Sequence, residues 1–189
     1  MEQTVPQKSR SKQVKTRDVG LYAPNMLSRR IYLNISEVGK NLYSVIQQKI
    51  KKEYEGKCTK EGYIKKESVK LVTTSAGHII ENSICYNVMF ECLVCCPVEG
   101  MNINNCIIQN VTKAGIRAII NNENENPLTI FIARDHHFDK IQFSGLNIDD
   151  IINIKVIGQR YELNDNTISI IASLVEDKKK TKMFLRTAK

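Results

Sequence analysis

Val111-Thr112-Lys113-Ala114-Gly115 reads as a tight turn between two strands, and the organisation of the chain's second half follows from it. Upstream, Asn102-Ile103-Asn104-Asn105-Cys106-Ile107-Ile108-Gln109-Asn110-Val111 mixes apolar and polar residues as a curved strand does. Gly115 can take a positive φ at the turn, and Ile116-Arg117-Ala118-Ile119-Ile120 starts the return strand. Three more β-rich runs follow, Leu128–Ala133, Ile151–Tyr161 and Thr167–Leu174. Each run is too short to bury a face alone, so the set of five predicts a small closed barrel.

Composition bounds the remainder. A chain of 189 residues with 42% hydrophobic residues holds one large domain or two small ones. No apolar run approaches the ~18 residues that a membrane-spanning helix needs, and the N-terminus is polar and basic rather than signal-like. An intracellular protein without a membrane role is the expectation. Four of the six cysteines lie inside apolar strand runs, where a reduced thiol acts as a small hydrophobe, so free thiols are expected rather than a disulfide scaffold.

The net charge of +8 gains meaning from where it sits. Residues 1–30 carry seven Lys/Arg against two acids, residues 176–189 carry six against two, and the body between them is close to neutral. Basic ends of this kind suit phosphate backbones, bound without sequence preference and with strong salt dependence. They equally suit a solvated, solubilising or targeting role. The abundance of Asn, Ile and Lys fits an AT-rich genome such as that of a large DNA virus or a protist.

Residues 1–28 hold no periodic apolar pattern and are expected to be disordered. A first strand is predicted at Ile31-Tyr32-Leu33-Asn34-Ile35. Leu42, Val45, Ile46 and Ile50 then recur at helical spacing with Tyr54 extending the stripe, Asn41 as a cap and Gly56 as the stop. Lys57-Cys58-Thr59-Lys60-Glu61-Gly62-Tyr63-Ile64 reads as strand, Gly-marked turn and strand, followed by Ser68–Thr74, a loop around Gly77 and a long strand Ile84–Cys96. The order predicts a small α+β sandwich in which one helix covers an antiparallel sheet. Pro97 and Gly100 mark the junction to the barrel, and the absence of a flexible linker implies that the two halves pack together.

In this order the residues resemble the stalk subunits of multisubunit DNA-directed RNA polymerases, the family of the seventh subunit of RNA polymerase II and its archaeal counterpart. The helix Leu42–Ile50, the step Glu55-Gly56-Lys57-Cys58 followed by Gly62-Tyr63-Ile64, and Pro97-Val98-Glu99-Gly100 carry the N-terminal part of the resemblance. Val111–Gly115, Ile154-Lys155-Val156-Ile157-Gly158-Gln159-Arg160 and Ile170-Ile171-Ala172-Ser173-Leu174 carry the rest, so that it covers residues 31–176. It implies a ribonucleoprotein-like sheet with one helix over residues 29–96, which docks on the polymerase core. A five-stranded OB (oligonucleotide-binding) barrel follows over 97–176 and meets nascent RNA or initiation factors, with basic extensions at 1–28 and 177–189. A small helical stalk partner is also implied, and the compartment would be that of the polymerase, nucleus, cytoplasm or virion.

For docking the resemblance points to Gly56, Lys57, Cys58, Gly62 and Tyr63, since backbone approaches a partner closely where no Cβ intervenes. For RNA contact the barrel offers Lys113, Arg117, Phe131, Arg134, His136 and Arg160. The segment between Cys58 and Gly62 is one residue shorter than the family pattern, and Ile116 stands where many RNA-binding barrels of this class carry an aromatic. Base stacking contributes about 1–3 kcal/mol per base, so a barrel short of aromatics is expected to hold RNA mainly through phosphates.

Competing chemistry has thinner support. Cys92-x-x-Cys95-Cys96 has half the spacing of a zinc site, but strand alternation sends Cys92 and Cys95 to opposite faces. His136-His137 beside Asp135 and Asp139 lacks a second ligand cluster, a nucleophile motif and a phosphate-binding loop. No catalytic residue, metal or cofactor is therefore expected. The alternative function is a free-standing RNA-binding OB protein of translation or RNA metabolism, which would not need the helix-backed sheet.

Overall fold

The computed structural model describes residues 20–120, 126–137, 143 and 145–175. Its first half is an antiparallel sheet backed by one helix. Strand β1 (Tyr22–Asn34) leads through a 3-10 turn (Ile35–Glu37) to helix α1 (Leu42–Tyr54) and then to β2 (Cys58–Thr59), β3 (Gly62–Ile64), β4 (Lys70–Thr74), β5 (His78–Ile80) and β6 (Ser83–Cys95). β6 is the spine of this sheet. It pairs with β1 along its whole length, from Tyr22 opposite Cys95 to Asn34 opposite Ser83, while β3, β4 and β5 share its other edge in succession.

Alternation along β6 turns Tyr86, Val88, Phe90, Cys92 and Val94 into one core with Leu27, Ile31 and Leu33 of β1. The helix closes this core with Ile46 and Ile50, the centre of its apolar stripe. The last helical turn carries Lys51 and Lys52, which suit the negative end of the helix dipole, and Gly56 follows at φ +73°. Asn41 precedes the helix as expected but makes no side-chain capping bond.

Two expectations need correction. The first strand starts at Tyr22, not Ile31, and residues 22–28 are strand rather than part of a disordered extension; Ile35 falls in the 3-10 turn. One face of β1 is open to solvent, so Pro24, Met26 and Ser28 hide the alternation, and pairing with Met89–Cys95 supplies what local composition does not show. β5 is a further strand beyond those expected, three exposed residues long. The remainder of the expected N-terminal extension and the tail 177–189 lie outside the described residues.

Among the described residues one edge of β1 is unpaired, and side chains shield it. Pro24 has no N–H, the Met26 amide donates to Asn25 Oδ1 (2.8 Å), Arg29 donates to the Ser28 carbonyl (2.9 Å), and Lys49 Nζ donates to the Tyr32 carbonyl. Such devices keep an edge strand from pairing with another chain.

The second half is a closed barrel of β7 (Asn102–Val111), β8 (Gly115–Ile120), β9 (Leu128–Ala133), β10 (Ile151–Arg160) and β11 (Ile168–Leu174). The strands close in the order β7-β8-β9-β11-β10, with β9 and β11 parallel and every other pair antiparallel, the architecture expected of an OB barrel. Inward alternation of Ile116 and Ala118, Ile130 and Ile132, Ile152 and Ile154, and Ile168 and Ile170 fills the interior. Cys58, Tyr63 and Cys95 of the sheet belong to this same core, so the two halves share a packed joint.

Candidate docking and nucleic-acid surfaces

The joint is built around the β2–β3 turn. Gly56 ends the helix and its N–H donates to Ile64 O (2.9 Å), while the Ile64 N–H donates to Lys57 O (3.0 Å). The Cys58 N–H donates to Asp165 O (2.7 Å) and its carbonyl accepts from the Asn164 N–H (2.9 Å), so the sheet continues into the barrel's β10–β11 loop. Gly62 sits at φ +126° against β6, and Tyr63 is buried.

Arg29 reaches across from β1 to pair with Glu61, which also accepts from the Thr59 hydroxyl (3.0 Å). The same guanidinium lies 6.0 Å from the centre of the Tyr54 ring. Burial would raise the Glu61 carboxyl, but the bonds from Arg29, Thr59 and its own amide outweigh it and hold the group below the ordinary carboxylate range. Of the five nominated docking residues, Gly56, Cys58, Gly62 and Tyr63 are buried and shape the turn, and Lys57 is half-buried, its Nζ donating to Glu53 O (3.2 Å). The turn's exposed side chain is Lys60, which sequence reasoning misses because a lone lysine in a turn carries no signal of its own.

On the barrel, register gathers most of the nominated residues. Arg117 on β8 lies opposite Phe131 on β9, and Phe131 lies opposite Ile171 on β11, which makes one row across three strands. All three side chains are exposed, Phe131 at 39% and Ile171 at 48%. The Arg134 N–H donates to Ala114 O (3.0 Å), which sets the 3-10 turn Arg134–His137, with the exposed His136, beside the loop carrying Lys113. Arg160 stands farther off on β10, opposite Ser169. The structure adds Ile171, exposed Ile157 at the β10 bulge, and Lys155 opposite Ser173. The alternation of β11 contains Ile171, but only the parallel β9–β11 pairing puts it beside Phe131.

His137 has a different role from its neighbour. It is buried, its Nδ1 lies 2.9 Å from Ala133 O, and its Nε2 accepts from the Leu174 N–H (3.0 Å). An amide can only donate, so Nε2 carries the lone pair and Nδ1 the proton, which makes this a neutral imidazole stapling the end of β11. Its ring stacks on Phe143 at 5.4 Å. We expect His137→Phe to keep the stacking yet remove the hydrogen bonds at Ala133 O and at the Leu174 N–H, both half-buried, costing about 1–3 kcal/mol in urea unfolding. A midpoint equal to that of the wild type would refute the staple.

All six cysteines are free thiols. Burial, with the Asp165 carboxylate adding to it, pushes Cys58 up to about 11; burial pushes Cys92 to about 11 and Cys106 to about 12. Metal binding requires the thiolate, which such environments disfavour. Cys92 joins the sheet core, Cys95 the barrel core, and Cys96 is exposed. Among the described residues no three His, Cys, Asp or Glu side chains gather as a ligand group.

Among known proteins, the chain is similar to a DNA-directed RNA polymerase subunit of Acanthamoeba polyphaga mimivirus, with 24% identity over 172 residues, covering 82% of this chain and 83% of that protein. It is also similar to DNA-directed RNA polymerase II subunit rpb7 of Dictyostelium discoideum, with 26% identity over 170 residues, covering 80% of this chain and 93% of that protein. No family model matches. The similarity spans both the sheet and the barrel, and it supports the resemblance to the polymerase stalk subunit of the rpb7 kind.

Proposed function

We propose that the chain is a non-catalytic stalk subunit of a DNA-directed RNA polymerase. Its β2–β3 turn, shaped by Gly56, Lys57, Cys58, Gly62 and Tyr63, docks on the polymerase core, and the barrel row Arg117–Phe131, with Lys113, Arg134, His136 and Arg160 around it, faces nascent RNA or initiation factors. The supporting observation is similarity to polymerase subunits over four-fifths of the chain. A helix-backed sheet and barrel sharing one joint fit that reading. A free-standing RNA-binding barrel is less favoured, because Cys58, Tyr63 and Cys95 of the sheet complete the barrel's core. The small helical partner and the compartment follow the polymerase in this reading, and the basic ends add electrostatic contact with nucleic acid.

The deciding experiment is purification of the polymerase through its largest subunit from cells expressing the chain. Stoichiometric recovery of the chain is expected, and its absence from active enzyme would overturn the proposal. For the RNA face, Lys113→Glu with Arg117→Glu should reduce RNA crosslinking about tenfold at moderate salt and flatten the salt dependence by about two in slope. Both side chains are exposed, so the unfolding midpoint should not move. Unchanged crosslinking would remove these residues from the site.

A further inference from the structure

The barrel contributes to the same end of the molecule as the β2–β3 turn. Its β10–β11 loop is sharply folded: the Glu162 N–H donates to Asp165 Oδ2 (2.8 Å), the Asp165 N–H donates to Glu162 O (3.2 Å), and Asn164 holds φ +71°. Two backbone bonds to Cys58 fasten this loop to β2, and the Tyr161 hydroxyl donates to Lys60 O (3.3 Å). Leu163 sits in the loop between these fixed points and is 59% exposed.

Lone exposed leucines are ordinary, but this one stands on backbone already ordered by the joint, so binding through it costs little additional conformational entropy. OB barrels commonly present this loop to nucleic acid. Here the backbone of Asn164 and Asp165 is committed to Cys58, and the loop's own charges, Glu162 and Asp165, repel phosphate. A protein partner suits it better. Of the nearby acids, Glu55 accepts the Val69 N–H (3.0 Å), Glu61 pairs with Arg29 and Asp165 caps Glu162, while Glu162 is itself exposed, 3.8 Å from the exposed Arg160. Lys60 is left exposed at the turn.

We propose that the docking surface is composite, with Leu163 of the barrel loop as its apolar contact and Lys60 of the β2–β3 turn as its cation. The matching feature on the polymerase core is an apolar recess edged by acidic side chains. This inference rests on the docking reading above. Full-length wild type, Leu163→Asp, Leu163→Gln and Lys60→Glu are mixed with polymerase core lacking the chain, and recovery is measured at low and high salt. Leu163→Asp should lower recovery at least tenfold, Leu163→Gln severalfold, and Lys60→Glu chiefly at low salt, with unchanged unfolding midpoints and unchanged RNA crosslinking of the free chain. Full recovery of both Leu163 variants beside recovered wild type overturns the composite surface and leaves the docking reading intact. Failure to recover the wild type overturns both.

Discussion

Gly62→Ala is expected to destabilise the protein by about 3–5 kcal/mol, among the largest single-residue effects in the chain. At φ +126° an L side chain is strained before any neighbour is considered. An added Cβ would also lie 2.4 Å from Cys95 O and 3.1 Å from both Cys96 Cβ and Val94 Cγ1. The carbonyl cannot give way easily, because Cys95 is paired with Tyr22 on one side and Tyr63 on the other. The hairpin must therefore move, taking Tyr63 and Cys58 out of the barrel core and releasing the β10–β11 loop. Chemical unfolding gives the stability change, and Gly39→Ala is the control, since a Cβ there meets nothing within 4 Å. A Gly62→Ala protein within about 1 kcal/mol of wild type would show that the joint is not closely packed.

Phe90→Ala should cost a comparable amount, about 3–5 kcal/mol, by a different route. Phe90 is fully buried at the middle of β6, opposite Leu27 of β1 and Leu71 of β4, with its ring 5.9 Å from Tyr54 on the helix. It thus touches strands on both edges of β6 and the layer above. Truncation removes that contact and leaves a cavity that paired strands cannot close. Phe90→Leu retains most of the volume and should cost about 1–2 kcal/mol. Equal stabilities for the two variants in urea unfolding would mean that the helix collapses onto the sheet without penalty.

Local signals made much of this fold legible. The helix occupies Leu42–Tyr54 because its stripe recurs every three to four residues and a glycine follows. β9 runs from Leu128 to Ala133 and β7 from Asn102 to Val111, as their β-branched runs and flanking turns required. β1 was harder, since only its inward positions alternate and its partner lies some sixty residues along the chain. His136 and His137 are indistinguishable in sequence, yet one is exposed and the other staples β11. The outcome depends on where Leu174 arrives from another part of the chain.

The amino-acid sequence by itself determined the helix, most of the strands and their order, because helical spacing, strand alternation and turn chemistry act between residues a few positions apart. Tertiary structure alone decided that Cys58, Tyr63 and Cys95 complete the barrel's core, that Arg117, Phe131 and Ile171 form one row, and that the β10–β11 loop is fastened to the β2–β3 turn. Each of these depends on pairings between distant segments, whose register is set by the packing of the whole and by no local preference.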